Sequence, residues 1–190
     1  MLLLVVGLAL FLGTHSVSIV APGWRERARA KIGEGGWKGL YSVVSLAGFV
    51  LICYGFGLAR QHPAPVYTPP GWMRHIALVL MLPVFPLLIA ASLPGRIQRT
   101  LKHPMLAGVK LWAFAHLLAN GMLADLVLFG SFLIWAVLDR ISFKHRPPQN
   151  LRMAPARPWN DAVAVVTGLA VYALFIGWIH LHLFGVSPLG

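Results

Sequence analysis

Apolar stretches long enough to cross a membrane recur along the whole chain, and they limit its fold more than any other feature. A helix needs about 20 mostly apolar residues to span the hydrocarbon core of a bilayer. Only 11% of the 190 residues are charged, whereas soluble domains carry about 25%. The sequence therefore predicts an all-α protein, a polytopic membrane helical bundle that forms a single domain over residues 1–190.

We expect about six transmembrane helices from the apolar segments. They lie near residues 2–21, 40–59, 72–93, 103–121, 123–138 and 161–184. Pro83 and Pro86 remove backbone donors inside the third span, so this helix should kink or break. The pair Asn120-Gly121 predicts a tight turn, and the fourth and fifth spans should therefore form a short antiparallel helical hairpin.

Basic residues are distributed in a way that predicts topology rather than nucleic-acid binding, despite the net charge of +11. They concentrate in the connections after the first, third and fifth spans: Arg25, Arg27, Arg29, Lys31 and Lys38; Arg96, Arg99 and Lys102; Arg140, Lys144, Arg146, Arg152 and Arg157. The positive-inside rule places these connections in the cytoplasm. Both termini should then face the periplasm or exterior, with membrane lipids as partners of the basic loops.

Two histidines lie deep inside apolar segments, His15 in the first span and His116 in the fourth. Polar groups in a membrane are costly and often functional. Neutral imidazole binds iron, copper or zinc, and two histidines on different helices can hold a haem from both faces. The alternative is that each histidine forms a hydrogen bond to a neighbouring helix.

Further polar residues accompany these histidines. Asn120 stands four residues after His116, so the two share a helix face that either lines a pocket or packs between helices. His103 precedes Pro104 where the chain enters the fourth span, beside basic residues that suit an anionic ligand at a helix N-terminus or simply face lipid. Lys110 lies seven residues after His103 on the same face, where it either snorkels or points into the same cavity.

His180 lies near the outer end of the last span, at the predicted level of Asp125. Such a pair could relay protons or orient a ligand, and the alternative is a solvated interfacial side chain. The span limits put His15 nearer the cytoplasmic side and His116 nearer the outer side. Two axial imidazoles lie close together across an iron, so depth favours the pairs His15 with His103 and His116 with His180.

Other kinds of site have no support in the sequence. There is a single cysteine, Cys53, which excludes a disulfide framework or a cysteine metal cluster within one chain. Phosphate-loop, GxSxG, HExxH and nucleotide-binding motifs are missing. The five acidic residues of the chain are not spaced for general acid and base chemistry.

The residues singled out above lie in stretches that resemble the NnrU family of bacterial membrane proteins. The matching segments are THS at residues 14–16, KHPMLAGVKLWAFAHLLANG at 102–121, LFGSFLIWAVLDRIS ending at Ser142, and the closing HLHLFGVSPL. NnrU proteins are associated with denitrification. The resemblance implies a bacterial inner-membrane protein that supports nitrite and nitric oxide reductases and has components of these enzymes as partners.

The sequence is also similar to the 15-cis-zeta-carotene isomerase of plants and cyanobacteria, which has an early histidine-serine pair and a later RHP…AH arrangement. Here these positions are His15 with Ser16, then His103 and His116. The isomerase resemblance implies a haem b with His15 and His116 as its ligands. More distantly, the 103–121 segment looks like that of isoprenylcysteine-type membrane methyltransferases, whose RHPxYxG segment helps to bind S-adenosylmethionine.

Three functions therefore remain open. The first is a haem-binding membrane protein of nitrogen-oxide metabolism, with redox or isomerase-like chemistry. The second is a membrane transfer enzyme that binds S-adenosylmethionine in a cavity opening at His103 and Lys110. The third is a non-catalytic assembly or transport factor that contacts a reductase through its helices.

Overall fold

The fold is known from a computed structural model that describes residues 1–145 and 154–190. Within these ranges the secondary structure is helical, apart from an isolated β-bridge between Pro65 and Met122. The chain divides into two compact units, the first made of Met1–Thr68 with Gly121–Ser142 and the second of Pro69–Asn120 with Phe143–Gly190. Arg146 and Arg152, which we used to predict topology, lie outside the described residues.

The helices follow one another closely along the chain. In order they are α1 (Leu2–Val20), α2 (Pro22–Gln61), α3 (Met73–Met81), α4 (Val84–Ala90), α5 (Arg96–Leu101), α6 (Pro104–Ala119), α7 (Leu123–Ser142), α8 (Asn160–Leu174) and α9 (His180–Phe184), with a π-helical turn Phe175–Ile179 between the last two. The first unit contains α1, α2 and α7, and the second contains the others.

Among residues 1–145 and 154–190, four segments are long and apolar enough to cross a membrane: α1, α2, α3 with α4, and α8 with α9. Helices also form at the predicted fourth and fifth spans. However, α6 has only 16 residues, and α7 carries the charged residues Asp125, Asp139 and Arg140. The protein is thus a helical membrane protein with four clear candidate spans. Because α6 and α7 belong to different units, the predicted hairpin stays a prediction.

Glycines set the packing of α1 against α2 in the first unit. A Cβ atom added to Gly7 would lie 2.6 Å from the backbone nitrogen of Ile52, and one added to Gly48 would lie 2.7 Å from that of Phe11. One added to Gly55 would clash with the backbone nitrogen of Leu4. These pairs run in opposite directions along the two helices, so α1 and α2 form an antiparallel pair in backbone contact. Small residues permit such close approach in membranes.

The long α2 helix contains a kink that separates its basic and apolar parts. Gly33 has φ 77° and ψ 163°, a conformation that interrupts the helix and that glycine adopts without steric cost. Trp24 and Trp37 lie on either side of this kink with their rings 5.9 Å apart in a T-shaped arrangement. The basic connection after the first span is therefore helical, and the second span begins after the kink.

The predicted break in the third span is confirmed in the second unit. Helix α3 ends at Met81 and α4 begins at Val84, with Pro83 between them, whereas Pro86 lies in the first turn of α4, where a missing N–H is tolerated. At the break, the N–H of Leu82 donates to Val79 O at 3.2 Å. The carbonyl of Leu78 thereby loses its usual helical partner, and the Tyr172 hydroxyl donates to it at 2.7 Å.

Replacing Tyr172 by phenylalanine should destabilise the protein, because the carbonyl of Leu78 would be left without a donor in the apolar interior. We expect a loss of about 1 kcal/mol in the free energy of unfolding, the usual range for interhelical hydrogen bonds in membranes. Unfolding in mixed micelles by increasing fractions of dodecyl sulfate would measure it. Tyr54→Phe is the matched control, since Tyr54 is 61% exposed; equal losses for both variants would contradict the assignment.

Candidate functional site

His15 is held in a defined orientation on α1 by its own helix. Its Nδ1 atom lies 2.7 Å from the carbonyl oxygen of Phe11, one turn earlier. A carbonyl only accepts hydrogen bonds, so Nδ1 carries the proton and Nε2 keeps a free lone pair. A histidine whose second nitrogen donates to a backbone carbonyl is the usual form of a metal-binding imidazole.

Aromatic rings from all three helices of the first unit surround His15. The ring centroids of Phe11, Tyr41 and Trp135 lie 4.3, 5.3 and 6.0 Å from that of the imidazole, and the indole is perpendicular to it. The indole Nε1 of Trp135 is buried and has no hydrogen-bond partner among the described residues. His15 thus lies in a partly buried aromatic pocket that also contains an unused N–H donor.

His116 has the same local arrangement on α6 in the second unit. Its Nδ1 atom lies 2.8 Å from the carbonyl oxygen of Trp112, and the two rings are 5.4 Å apart. By the same argument Nδ1 of His116 carries the proton and Nε2 is the unprotonated nitrogen. Asn120 donates through its side chain to the carbonyl of His116 at 2.9 Å and occupies the C-cap of α6. Asn120 therefore supports the end of the helix that carries His116.

His180 lies at the junction between the π-helical turn and α9. Its Nδ1 atom is 2.7 Å from the carbonyl oxygen of Val186, and its ring contacts Phe175 and Phe184 with centroid distances of 5.8 and 4.8 Å. Single π-helical turns often occur at functional sites. His116 and His180 both belong to the second unit. The pairing of these two residues that depth favours stays a prediction.

His103 and Lys110 occupy different environments. His103 is the N-cap residue of α6, and its ring stacks on Phe143 at a centroid distance of 3.9 Å. Lys110 is partly buried in the middle of α6, and it forms no hydrogen bond or ion pair with the described residues of its unit. The shared cavity that we expected for these two residues stays a prediction.

The six predicted site residues are divided between the two units. His103, Lys110, His116, Asn120 and His180 belong to the second unit, and His15 belongs to the first. Two residues around His15 escaped the sequence analysis, Tyr41 and Trp135. They lie on other helices than His15, and no spacing in the sequence links them to it.

The donor sets suit a haem better than a bare metal ion. Among residues 1–145 and 154–190, no three His, Cys, Asp or Glu side chains converge on a point where they could hold a metal. A porphyrin supplies four nitrogen ligands itself, so haem iron needs only one or two protein ligands. Imidazoles that donate through Nδ1 and have aromatic neighbours, as at His15 and His116, fit that requirement.

Comparison with known proteins identifies the family of the chain. No curated protein and no solved structure matches the chain significantly. The family described as NnrU protein matches residues 3–188. Since this match extends over nearly the whole chain, the protein belongs to the NnrU family.

Proposed function

We propose that this protein is a haem-binding protein of the bacterial inner membrane that acts in nitrogen-oxide metabolism. The observation that carries the proposal is the state of His15 and His116. Each imidazole donates through Nδ1 to a carbonyl of the preceding turn and lies beside aromatic rings. This arrangement is typical of histidines that bind haem or a metal.

In this proposal His15 and His116 would hold a haem b, as the resemblance to the carotene isomerase implies. His180 is the alternative partner of His116, because the predicted depths of the two residues favour this pair and both belong to the second unit. Haem iron supplies nitric oxide binding and single-electron transfer. The chain itself orients each imidazole through Nδ1, with Phe11 and Trp135 beside His15 and Trp112 beside His116.

The family relationship supports a role in nitrogen-oxide metabolism. Membership of the NnrU family fits a role beside nitrite and nitric oxide reduction, in which components of those reductases are the partners. The asymmetric distribution of arginine and lysine supports a periplasmic location for both termini. A haem held by this protein would then be able to exchange electrons with, or report nitric oxide to, such partners.

The ultraviolet-visible spectrum of detergent-solubilised protein tests the proposal. We expect a Soret band that shifts when dithionite and then nitric oxide are added. A colourless protein, even after expression with added haem precursor, would refute haem binding. If the colourless protein bound S-adenosylmethionine, the transfer-enzyme function would replace our proposal; if it copurified with a reductase subunit and bound neither, the assembly-factor function would.

A further inference from the structure

A cleft of about 400 Å³ lies in the second unit, apart from all the histidines discussed above. Its walls are the segment that leads into α5 and the segment that leads into α8. Its charged lining consists of Arg96, Arg99, Arg157 and Asp161. The volume falls within the usual range for small-ligand sites, about 300–1,000 Å³.

Two polar side chains hold the walls of this cleft together. Asn160 is 4% exposed, and its amide donates to Pro94 O at 2.8 Å and to Pro155 O at 3.1 Å. The carboxylate of Asp161 accepts hydrogen bonds from the backbone N–H groups of Arg96 at 2.7 Å and Ile97 at 3.1 Å. The cleft is therefore preorganised by hydrogen bonds that do not use the arginine side chains.

The charges that remain in the cleft are positive. Asp161 directs both of its oxygens to the backbone, and the three guanidinium groups form no ion pair within 4 Å among the described residues of this unit. Three arginines and one aspartate give a net charge of +2. Guanidinium groups offer planar pairs of N–H donors that match the oxygens of a phosphate. A negatively charged, phosphate-bearing ligand is the chemical class that this lining would take.

The position of the cleft relates it to the membrane surface. It lies next to Asn160, where one candidate span begins, and a few residues after Ala90, where another ends. Trp159 is 53% exposed, and the guanidinium carbon of Arg157 lies 5.5 Å from the centroid of its ring. Exposed tryptophan beside arginine at a span end is typical of the lipid-water interface.

We propose that this cleft binds the phosphate of an anionic phospholipid headgroup, with Arg96, Arg99 and Arg157 as its ligands. The positive-inside rule places these arginines on the cytoplasmic side, where basic pockets between transmembrane helices bind anionic lipids. The ligand is a lipid rather than a free anion because the cleft lies between the ends of two candidate spans, where headgroups are expected. This site is independent of the haem ligands.

Native mass spectrometry of the full-length protein in detergent, with added dioleoyl phosphatidylglycerol or dioleoyl phosphatidylcholine, tests the proposal. The unmodified protein should retain phosphatidylglycerol in preference to phosphatidylcholine. The double variant Arg96→Gln/Arg157→Gln should weaken phosphatidylglycerol binding about tenfold. The control Arg27→Gln/Lys31→Gln removes the same charge from exposed positions of α2 on the same predicted side, and it should keep the binding.

Two results would overturn the proposal. Equal losses in the two double variants would mean that the lipid responds to overall charge rather than to this cleft. If inorganic phosphate at millimolar concentration displaced phosphatidylglycerol fully, the ligand would be a free anion and not a lipid. Circular dichroism of both variants identifies a folding defect, and a misfolded double variant would be replaced by Arg99→Gln alone, whose unchanged binding would also refute the site.

Discussion

The His116→Ala variant is expected to lose the Soret band of the purified protein, with haem content reduced at least about tenfold. The physical reason lies in the orientation of this imidazole. Its Nδ1 donates to the carbonyl of Trp112, so Nε2 is the nitrogen that would bind an iron. The methyl group of alanine has no atom that can replace this ligand. The measurement is the pyridine haemochrome content per mole of detergent-purified protein.

His182→Ala is the matched control for that experiment. The Nδ1 atom of His182 also contacts a carbonyl one turn earlier, that of Trp178, at 2.8 Å, and its ring packs beside the indole at 4.5 Å. It differs in being exposed. The control should keep the full Soret band. Haem retained in His116→Ala, or lost equally in both variants, would exclude His116 as a ligand.

The second axial ligand is identified by two further variants. If the resemblance to the carotene isomerase extends to both ligands, His15→Ala will lose haem and His180→Ala will keep it. If His116 and His180 form the site instead, His180→Ala will lose haem and His15→Ala will keep it. His116 is a ligand in both cases, so these variants identify its partner and do not test whether haem is bound.

The prediction from sequence was best where it depended on local chemistry. Proline at position 83 lacks an N–H, and the break in the third span follows from that alone. The apolar character of the chain likewise determined the helical membrane class. The count of spans was less secure because α6 is short and α7 includes Asp125, Asp139 and Arg140. Their path relative to the bilayer depends on tertiary packing, which periodicity does not encode.

Site prediction from sequence was limited by the same physics. The histidines were found because a polar residue in an apolar run is conspicuous. The residues around them could not be predicted in this way, since Tyr41 and Trp135 lie on other helices and contact His15 only through helix packing. The hydrogen bonds from Nδ1 are local, because each joins a histidine to the carbonyl four residues earlier in the same helix. A histidine inside a predicted helix could therefore have indicated them.

The packing that builds the His15 pocket depends on the antiparallel pairing of α1 and α2. The contacts of Leu4 with Gly55, Gly7 with Ile52 and Phe11 with Gly48 follow one register. Continued by one more turn, that register brings His15 opposite Val44, and the ring of Tyr41, one turn before Val44 on α2, contacts the imidazole. The glycines therefore position a candidate ligand although they lie one to three turns away from it.

Gly55→Ala should consequently cause a large loss of stability for the addition of one methyl group. The new Cβ would meet the backbone of Leu4, which cannot rotate away as a side chain can, so α1 and α2 must separate. We expect about 1–3 kcal/mol lower free energy of unfolding, the usual cost of overpacking. Thermal unfolding in detergent and dodecyl sulfate titration would measure the loss, and weaker haem retention should accompany it.

Gly57→Ala makes the same chemical change two residues further along α2, where a Cβ would have no neighbour within 4 Å. Alanine favours helix over glycine by about 1 kcal/mol, so this variant should be neutral or more stable than the unmodified protein. The free energy of unfolding should fall for Gly55→Ala and stay equal or rise for Gly57→Ala. Since both variants replace glycine by alanine on α2, the difference between them measures packing and not helix propensity. If Gly55→Ala were as stable as Gly57→Ala, backbone contact between α1 and α2 would not hold the first unit together.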